Sequence, residues 1–243
     1  WGLNGGMIQS IPTTTASSGT PAKHAMLQVY GAGTNFFCEL DGAEGSPQRL
    51  SLLTRMPALE ELRLTKVACG GHFTVAATTQ GTVYHWGSDG GEMRPKPELM
   101  ELGTKVCAVT VACGRKHTLI LVEGARVLSY GTGYFGQLGH GNDSSLRNPR
   151  VIESLDSKAL NGDRVTAVAA GFAHSGVVTH TGRLYMWGLN RSCQCGVEPP
   201  TGSSGLAAST LFAPHPTDLS NVKDHGRPVQ LVCGRHHPAL LTD

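Results

Sequence analysis

Histidine and cysteine are the residues of this sequence whose types could support catalysis or metal binding. The 243 residues include 11 histidines and seven cysteines. His117, His174 and His237 each follow a glycine by three residues, at the same place in three similar segments. A catalytic or metal-binding histidine is expected once, among unlike neighbours, whereas a recurring one indicates a repeated structural hydrogen bond. We therefore predict a structural role for these three histidines.

Two local groupings approach a metal site without completing its ligand pattern. His225 lies near His236 and His237, but no further ligand follows at a suitable spacing. Cys193 and Cys195 form a C-x-C pair, which is not the spacing of a zinc finger. We expect no metal or cofactor, and we interpret the thiols as small buried hydrophobic groups in a reducing, intracellular compartment, with a metal or disulfide role as the alternative. Three of the thiols recur in one position of a repeat: Cys69, Cys113 and Cys233.

Motifs for phosphate binding or nucleophilic catalysis are missing from the sequence. The segment GTGYFGQLG at 131–139 resembles a glycine-rich nucleotide loop, but it is expected to join two strands. It therefore opens no helix whose N-terminus could bind phosphate. The sequence has no G-x-x-x-x-G-K-[ST], G-x-S-x-G or H-E-x-x-H motif. We predict that the protein is not an enzyme.

Charge and hydropathy argue against a nucleic-acid or membrane partner. Twenty Lys and Arg residues against 18 Asp and Glu give a formal net charge of only +2, and the basic residues are scattered. No apolar run approaches the length of a transmembrane helix, and residues 1–10 do not have the pattern of a signal peptide. The partners predicted below are therefore other proteins.

A repeat organises the chain and explains the positions of these residues. Four segments align, at 67–87, 111–131, 168–188 and 231–243. In the three complete copies an early and a late glycine are always 17 residues apart, whereas 44 to 63 residues separate successive copies. This pattern indicates a rigid unit joined by loops of variable length. The early glycines are Gly70, Gly114, Gly171 and Gly234, and the late glycines are Gly87, Gly131 and Gly188.

Within each copy, short runs of β-branched, apolar and aromatic residues predict three strands and a fourth after the late glycine. Dipeptides such as Gln80-Gly81 predict two-residue hairpin turns between the second and third strands. Such sheets, repeated every 40 to 60 residues or so, are typical of β-propeller blades. We expect the early glycines near a central channel that tolerates no Cβ. The aromatic residues before the late glycines, Trp86, Tyr130 and Trp187, are expected to pack between blades.

The pattern VACG-x-x-HT…G-x-V-Y-x-WG…GQLG resembles the regulator of chromosome condensation (RCC1-like) repeat family. Copy 111–141 matches best, copy 168–196 has CQCG in place of GQLG, and copy 67–92 has Phe73 at the histidine position and a short SDGGE loop. The resemblance implies an all-β propeller that normally closes a ring of seven blades. About four to five blades are visible, so we expect a fragment of such a ring. Alternatively, the hairpin 231–243 pairs with 27–30 to close a smaller ring.

The predicted domain organisation follows from the repeat. Residues 1–25 are expected to hold the end of a preceding blade, marked by Trp1-Gly2, and a flexible linker at 12–24. Residues 26–243 form the propeller, with blade cores at 67–100, 111–150 and 168–198 and a partial one at 231–243. Segment 46–64 permits a short amphipathic helix after Pro57, and 198–216 is expected to be a surface loop.

Two functions from different classes remain open. The first is a non-catalytic scaffold whose blade-rim loops bind other proteins in a larger complex. The second, implied by the family resemblance, is a guanine-nucleotide exchange factor for a small GTPase, with loops on one face displacing the nucleotide. Candidate acidic residues for exchange are Asp89, Asp143 and Asp163. We favour the scaffold.

Overall fold

The computed structural model of the chain describes residues 9–11, 28–43, 45–103, 106–198, 209–217, 219 and 226–243. These residues form five antiparallel sheets and little helix. The N-terminal sheet contains three strands: β1 Gln9–Ile11, β2 Gln28–Thr34 and β3 Arg49–Arg55.

Three sheets have four strands each, and in every one the spatial order is the order along the chain. The first blade contains β4 Leu64–Cys69, β5 Phe73–Thr78, β6 Val83–Ser88 and β7 Met93–Met100. The second blade contains β8 Ala108–Cys113, β9 His117–Val122, β10 Val127–Gly131 and β11 Leu146–Val151. The third blade contains β12 Val165–Ala170, β13 His174–Thr179, β14 Leu184–Leu189 and β15 Thr210–Pro216. The terminal hairpin pairs β16 Pro228–Cys233 with β17 Pro238–Thr242.

The sheets pack face to face around a shared axis. The second strand of each blade is buried along its whole length. The reason is that its two faces pack against the neighbouring sheets on either side. One apolar cluster joins the first and second blades through Val75, Val111 and Ile120, and a second joins the second and third blades through Leu119 and Val177. Burial on both faces selects apolar and β-branched residues in a continuous run. The prediction of a β-propeller with four to five visible blades is confirmed.

The hairpin turns differ from the two-residue prediction. In the first blade Thr78 and Thr82 form the last hydrogen-bonded pair, so that three residues lie between them. The third of these, Gly81, has a φ of 76°, which is the left-handed conformation that such a three-residue loop requires. The third blade repeats this arrangement with Gly182, and the second blade places Gly124 in the middle of its loop.

The short helix predicted after Pro57 is present as a single turn, α1 Pro57–Glu60. The earlier part of segment 46–64 is a strand, β3, at residues 49–55. Leu59 in the helical turn and Met56 before it are buried against the first blade, so that the segment connects two sheets and fills the space between them. Leu52 and Leu53 are exposed on the outer strand.

Several predictions fall partly or wholly outside the described residues: Trp1-Gly2, the linker 12–24 and most of the loop 198–216, whose last seven residues form β15 instead. Closure between 231–243 and 27–30 is not seen among the described strands, because β17 pairs with β16, and β2 pairs with β1 and β3. In the described part of the chain, no helix has the length and apolar character needed to cross a membrane.

Candidate functional site

The four early glycines come together around one cavity on the axis. Gly70, Gly114, Gly171 and Gly234 end the first strand of each unit and line a cavity of about 440 Å³. Cys69, Cys113 and Cys233 line it as well. The turns between first and second strands and the longer turns between third and fourth strands lie at this same end of the sheets. We call this end the mouth face.

Main-chain hydrogen bonds link the turns around the axis. The N–H of Arg115 donates to the carbonyl of Gly171 at 3.3 Å, and the N–H of Phe172 donates to that of Gly234 at 3.3 Å. The N–H of Gly71 donates to the carbonyl of Arg115 at 3.0 Å. Each turn is thereby held in register with the next one.

Close approach explains why the early position is occupied by glycine. A Cβ on Gly114 would clash with the ring of His117 and with the carbonyl oxygen of Gly171. A Cβ on Gly171 would clash in the same way with His174 and with the carbonyl of Gly234. The channel position therefore excludes a side chain because the histidine and the next blade both occupy that volume.

His117 belongs to a hydrogen-bonded network that crosses from the second to the third blade. Its Nε2 lies 2.8 Å from Oγ of Ser175, and that hydroxyl donates to the carbonyl of Gln137 at 2.9 Å. Nε2 of His117 is therefore the donor to the hydroxyl. Burial, and after it the nearby His174 ring, lower the pKa of His117 to about 3, so that the ring is neutral at pH 7.

His174 occupies the same place one blade later, but it makes no such bond. Pro238 stands where Ser175 stands in the preceding unit, and it carries no hydroxyl. Among the described residues neither ring nitrogen of the buried His174 has a hydrogen-bond partner. Burial, and after it His236 and His237, lower the pKa of His174 to about 4. His237 is exposed, so the predicted recurring hydrogen bond is found only at His117.

The aromatic residues before the late glycines lie between sheets. Trp86 packs against the N-terminal sheet, Tyr130 against the first blade and Trp187 against the second blade. The indole N–H of Trp187 donates to the carbonyl of Gln137 at 2.9 Å, the same oxygen that accepts from Ser175. The late glycine that follows Tyr130, Gly131, has a φ of 106°, and a Cβ there would clash with the backbone of Lys116 and His117.

The GQLG turn has a copy that the sequence did not predict, at Cys38-Glu39 in the N-terminal sheet. In Gly136-Gln137, the glycine is left-handed and the Gln137 side chain accepts a hydrogen bond from the N–H of Phe135 at 2.8 Å. Cys193-Gln194 in the third blade and Cys38-Glu39 in the N-terminal sheet repeat both features, with φ values of 55° and 56° at the cysteines. The available signal was a Glu or Gln two residues after the aromatic or polar residue whose N–H it binds. The signal was concealed because the left-handed position between them holds a cysteine and not a glycine.

Most of the cysteine thiols are wholly or partly buried, and none forms a disulfide. Burial raises the pKa of Cys195 to about 12 and that of Cys233 to about 12, and it also raises the pKa of Cys113. Cys193 is exposed, but it lies in the turn described above. In the part of the chain that the structure describes, no group of three or more His, Cys, Asp or Glu side chains could hold a metal ion.

The three candidate exchange aspartates do not share a face. Asp89 and Asp143 lie in turns of the mouth face, and Asp89 forms an ion pair with Arg94 at 3.1 Å. Asp163 precedes β12 at the opposite end, where it accepts hydrogen bonds from the N–H of Arg164 and the N–H and hydroxyl of Thr181. Burial alone would raise the pKa of Asp163, but the Thr179 hydroxyl and these bonds together lower it to about 2. Asp163 therefore organises a hairpin turn.

The side chains that the inner turns present on the mouth face are basic and aromatic. The guanidinium carbon of Arg115 lies 4.7 Å from the ring centroid of Phe172, and that of Arg235 lies 5.0 Å from the same centroid. The rings of Phe172 and His236 are 5.9 Å apart. No Asp or Glu occurs in the four turns 70–72, 114–116, 171–173 and 234–237. Further from the axis, Phe36 and Tyr134 occupy equivalent turn tips and are 58% and 67% exposed.

Two family models match most of the repeated part of the chain. Both describe the regulator of chromosome condensation (RCC1) repeat; one covers residues 125–178 and 181–241, and the other covers 64–90, 108–137 and 165–195. The matched ranges contain the early glycines and the histidine positions described above.

Individual relatives agree with the family models. The mitochondrial RCC1 domain-containing protein RUG3 of Arabidopsis thaliana is 36% identical over 160 residues, which cover 61% of this chain and 34% of that protein. Among solved structures, human WBSCR16 superimposes with a TM-score of 0.73 at 20% identity, over 89% of this chain and 53% of that one. Prp20p of Saccharomyces cerevisiae, described together with its binding to Gsp1p and histones, has a TM-score of 0.69 at 20% identity and the same coverage. The chain thus spans about a third of the relative and about half of each solved chain.

Proposed function

Because the chain belongs to the regulator of chromosome condensation (RCC1) repeat family, we propose that it acts as a non-catalytic scaffold, binding protein partners through the loops of its mouth face. The observation that carries the proposal is the pair of exposed aromatic tips, Phe36 and Tyr134, on equivalent turns of that face. Large aromatic side chains are enriched at protein interfaces, and their exposure on a rigid support fits a docking surface. The thiols of Cys113 and Cys233, which line the cavity at this face, are poor nucleophiles because burial raises their pKa.

The rigid support matters because a scaffold must hold its contacts at fixed distances. The aromatic tips stand on turns whose backbone is fixed by the Gln137 and Glu39 side chains, so little conformational freedom is lost when a partner binds. We place this activity in a reducing compartment, in keeping with seven cysteines that form no disulfide.

Nucleotide exchange on a small GTPase is the alternative that the similarity to Prp20p keeps in view. Against it, Asp163 lies at the opposite end of the sheets from Asp89 and Asp143, Asp89 forms an ion pair with Arg94, and the inner turns of the mouth face carry no carboxylate. We expect this protein to leave the rate of fluorescent-nucleotide release unchanged for a panel of small GTPases. Acceleration of any one of them by about tenfold or more would replace the scaffold with exchange activity.

The scaffold is tested by purification of the native complex from cells, followed by mass spectrometry. The Phe36→Ser/Tyr134→Ser variant should lose partners that the wild-type protein retains. The Leu52→Ser/Leu99→Ser variant is a matched control, because it removes two equally exposed apolar side chains from outer strands away from this face. Equal recovery of the same partners by all three proteins would contradict the proposal.

A further inference from the structure

On the premise of that docking function, we propose that Arg115, Arg235 and Phe172 form a site at the centre of the mouth face that binds an extended acidic segment of a partner protein. The site is made by three different units of the chain: the second blade, the third blade and the terminal hairpin. Its ligand class is a peptide with carboxylates on alternate residues.

The first support is that both guanidinium groups lie over one aromatic ring. They are 4.7 and 5.0 Å from the centroid of Phe172, within the range of a cation–π contact. A guanidinium that lies over a ring keeps its N–H groups available, and these match a carboxylate bidentately. The ring therefore positions two arginines and leaves their donors free.

The second support is that these charges have no ion-pair partner in the part of the chain that the structure describes. Neither Arg115 nor Arg235 forms an ion pair with any described residue, and both are exposed. The charge is thus directed outward, where a ligand would complement it. Arg94, by contrast, is bound by Asp89, Glu92 and Glu98.

The third support is that the backbone holds the turns that carry these side chains. The N–H groups of Arg115 and Phe172 themselves make the hydrogen bonds that join the turns. Because both guanidinium groups lie within 5.0 Å of the same ring centroid, they are close enough together to bind two carboxylates of one extended peptide, in which alternate side chains are about 6.8 Å apart on one face of a strand. The site is therefore preorganised for such a segment.

Protein rather than nucleic acid is the favoured partner for a physical reason. Single-stranded nucleic acids stack their bases on exposed aromatic rings along a basic groove. Here the two arginines and His236 already occupy the surroundings of the Phe172 ring, and the chain has a net charge of only +2. Base stacking is thus obstructed, whereas carboxylate binding is not.

The test uses the full chain and a fluorescein-labelled peptide of about ten residues in which Glu and Gly alternate. We expect binding that weakens as salt is added, and an affinity at least about tenfold lower for Arg115→Gln/Arg235→Gln, because two charge-assisted contacts are lost. Phe172→Leu, which keeps bulk but removes the aromatic face, should give a smaller loss. The matched control is Arg164→Gln/Arg183→Gln, which removes two exposed arginines at the opposite end of the third blade and should bind like the wild type.

Three results would overturn the site: equal loss in both double variants, equal binding of a peptide with Gln in place of Glu, or tighter binding of an oligothymidylate through the same arginines. Thermal melting of each variant establishes that it is folded. If the native complex is lost in Phe36→Ser/Tyr134→Ser but no acidic peptide binds, the acidic site is wrong while the scaffold stands. If the peptide binds as expected but no partner is recovered, the acidic site stands while the scaffold is wrong.

Discussion

The seam between the second and third blades differs from the seam between the first and second. In the former, the carbonyl of Gln137 accepts from both Ser175 and Trp187, and His117 donates to the Ser175 hydroxyl. In the latter, Phe73 replaces the histidine, and in the described part of the chain the Thr118 hydroxyl, equivalent to that of Ser175, makes no hydrogen bond to a carbonyl of the short loop after Ser88. Among the described residues, the hydroxyl of Tyr130 there has no hydrogen-bond partner.

The difference shows that the same arrangement of strands can be packed through a polar network or through apolar side chains. In either case the residues on the two facing sheets must match, polar opposite polar or apolar opposite apolar. A buried histidine is stabilised by a hydroxyl on the facing sheet, because a buried polar group without a partner is destabilising. The third case, His174, has the histidine without the hydroxyl, since Pro238 is the equivalent of Ser175 in the terminal hairpin.

Trp187→Ala should have the largest effect. The side chain is fully buried between two sheets and carries the hydrogen bond to Gln137. Removing it leaves a cavity in the polar seam and should lower the free energy of unfolding by about 3 to 5 kcal/mol. Urea denaturation of the wild type and variant measures this loss. A loss below about 1 kcal/mol would show that the seam collapses to fill the space.

Ser175→Ala should cost about 1 to 3 kcal/mol, because it leaves the buried Nε2 of His117 without a partner. Thr118→Val is the matched control in the other seam, where the equivalent hydroxyl contacts the thiol of Cys113 at 3.6 Å and lies near the Tyr130 hydroxyl without a hydrogen bond to it. A thiol is a weak hydrogen-bonding group, so we expect a much smaller loss. Equal losses in urea denaturation would refute the distinction between the seams.

His174→Phe tests the histidine without a hydroxyl. The pKa of His174, about 4, lies below the usual 6.5, so the unfolded chain binds more protons between these values. Above pH 6.5 the His174 ring is neutral in both the folded and the unfolded chain. As the pH falls from 6.5 toward 4, protonation of the ring in the unfolded chain lowers the free energy of unfolding. The variant should match or exceed wild-type stability at pH 7, and it should lose less between pH 7 and 4.5 in thermal melts. The same slope in both proteins would contradict this interpretation.

Tyr130→Phe should have the smallest effect. It removes a hydroxyl that has no hydrogen-bond partner among the described residues and keeps the ring between the first and second blades. We expect a change within about 0.5 kcal/mol by urea denaturation. A loss above about 1 kcal/mol would mean that the hydroxyl is bound after all.

The strands and their order could be predicted because the repeat places glycine and aromatic residues at fixed intervals along the chain. A series of similar antiparallel sheets is the simplest explanation of that spacing. The turn length could not be predicted, since Gly81 is equally suited to two-residue and three-residue hairpins. The strand at 49–55 was not predicted, because its leucines face solvent on an outer edge, where burial imposes no alternation.

The docking site was beyond the sequence for a different reason. Arg115, Phe172 and Arg235 are separated by more than 50 residues from one to the next, and each follows its early glycine directly. Aligning the repeats places them in one column, but only the packing of successive blades brings two arginines onto one ring. Similarly, the failure of His174 to bond could be seen only once Pro238 was known to face it.

The hydrogen bonds that join successive turns around the axis run from backbone N–H to backbone carbonyl and therefore do not depend on which side chain follows the glycine. Glycine, arginine and phenylalanine occupy that position in successive units, and each donates its N–H to a carbonyl of the next turn, that of Arg115 for Gly71 and that of the next early glycine for the other two. The side chains of the inner rim can therefore change one at a time during evolution, and with them the partner that is recognised, while backbone bonds still join the turns.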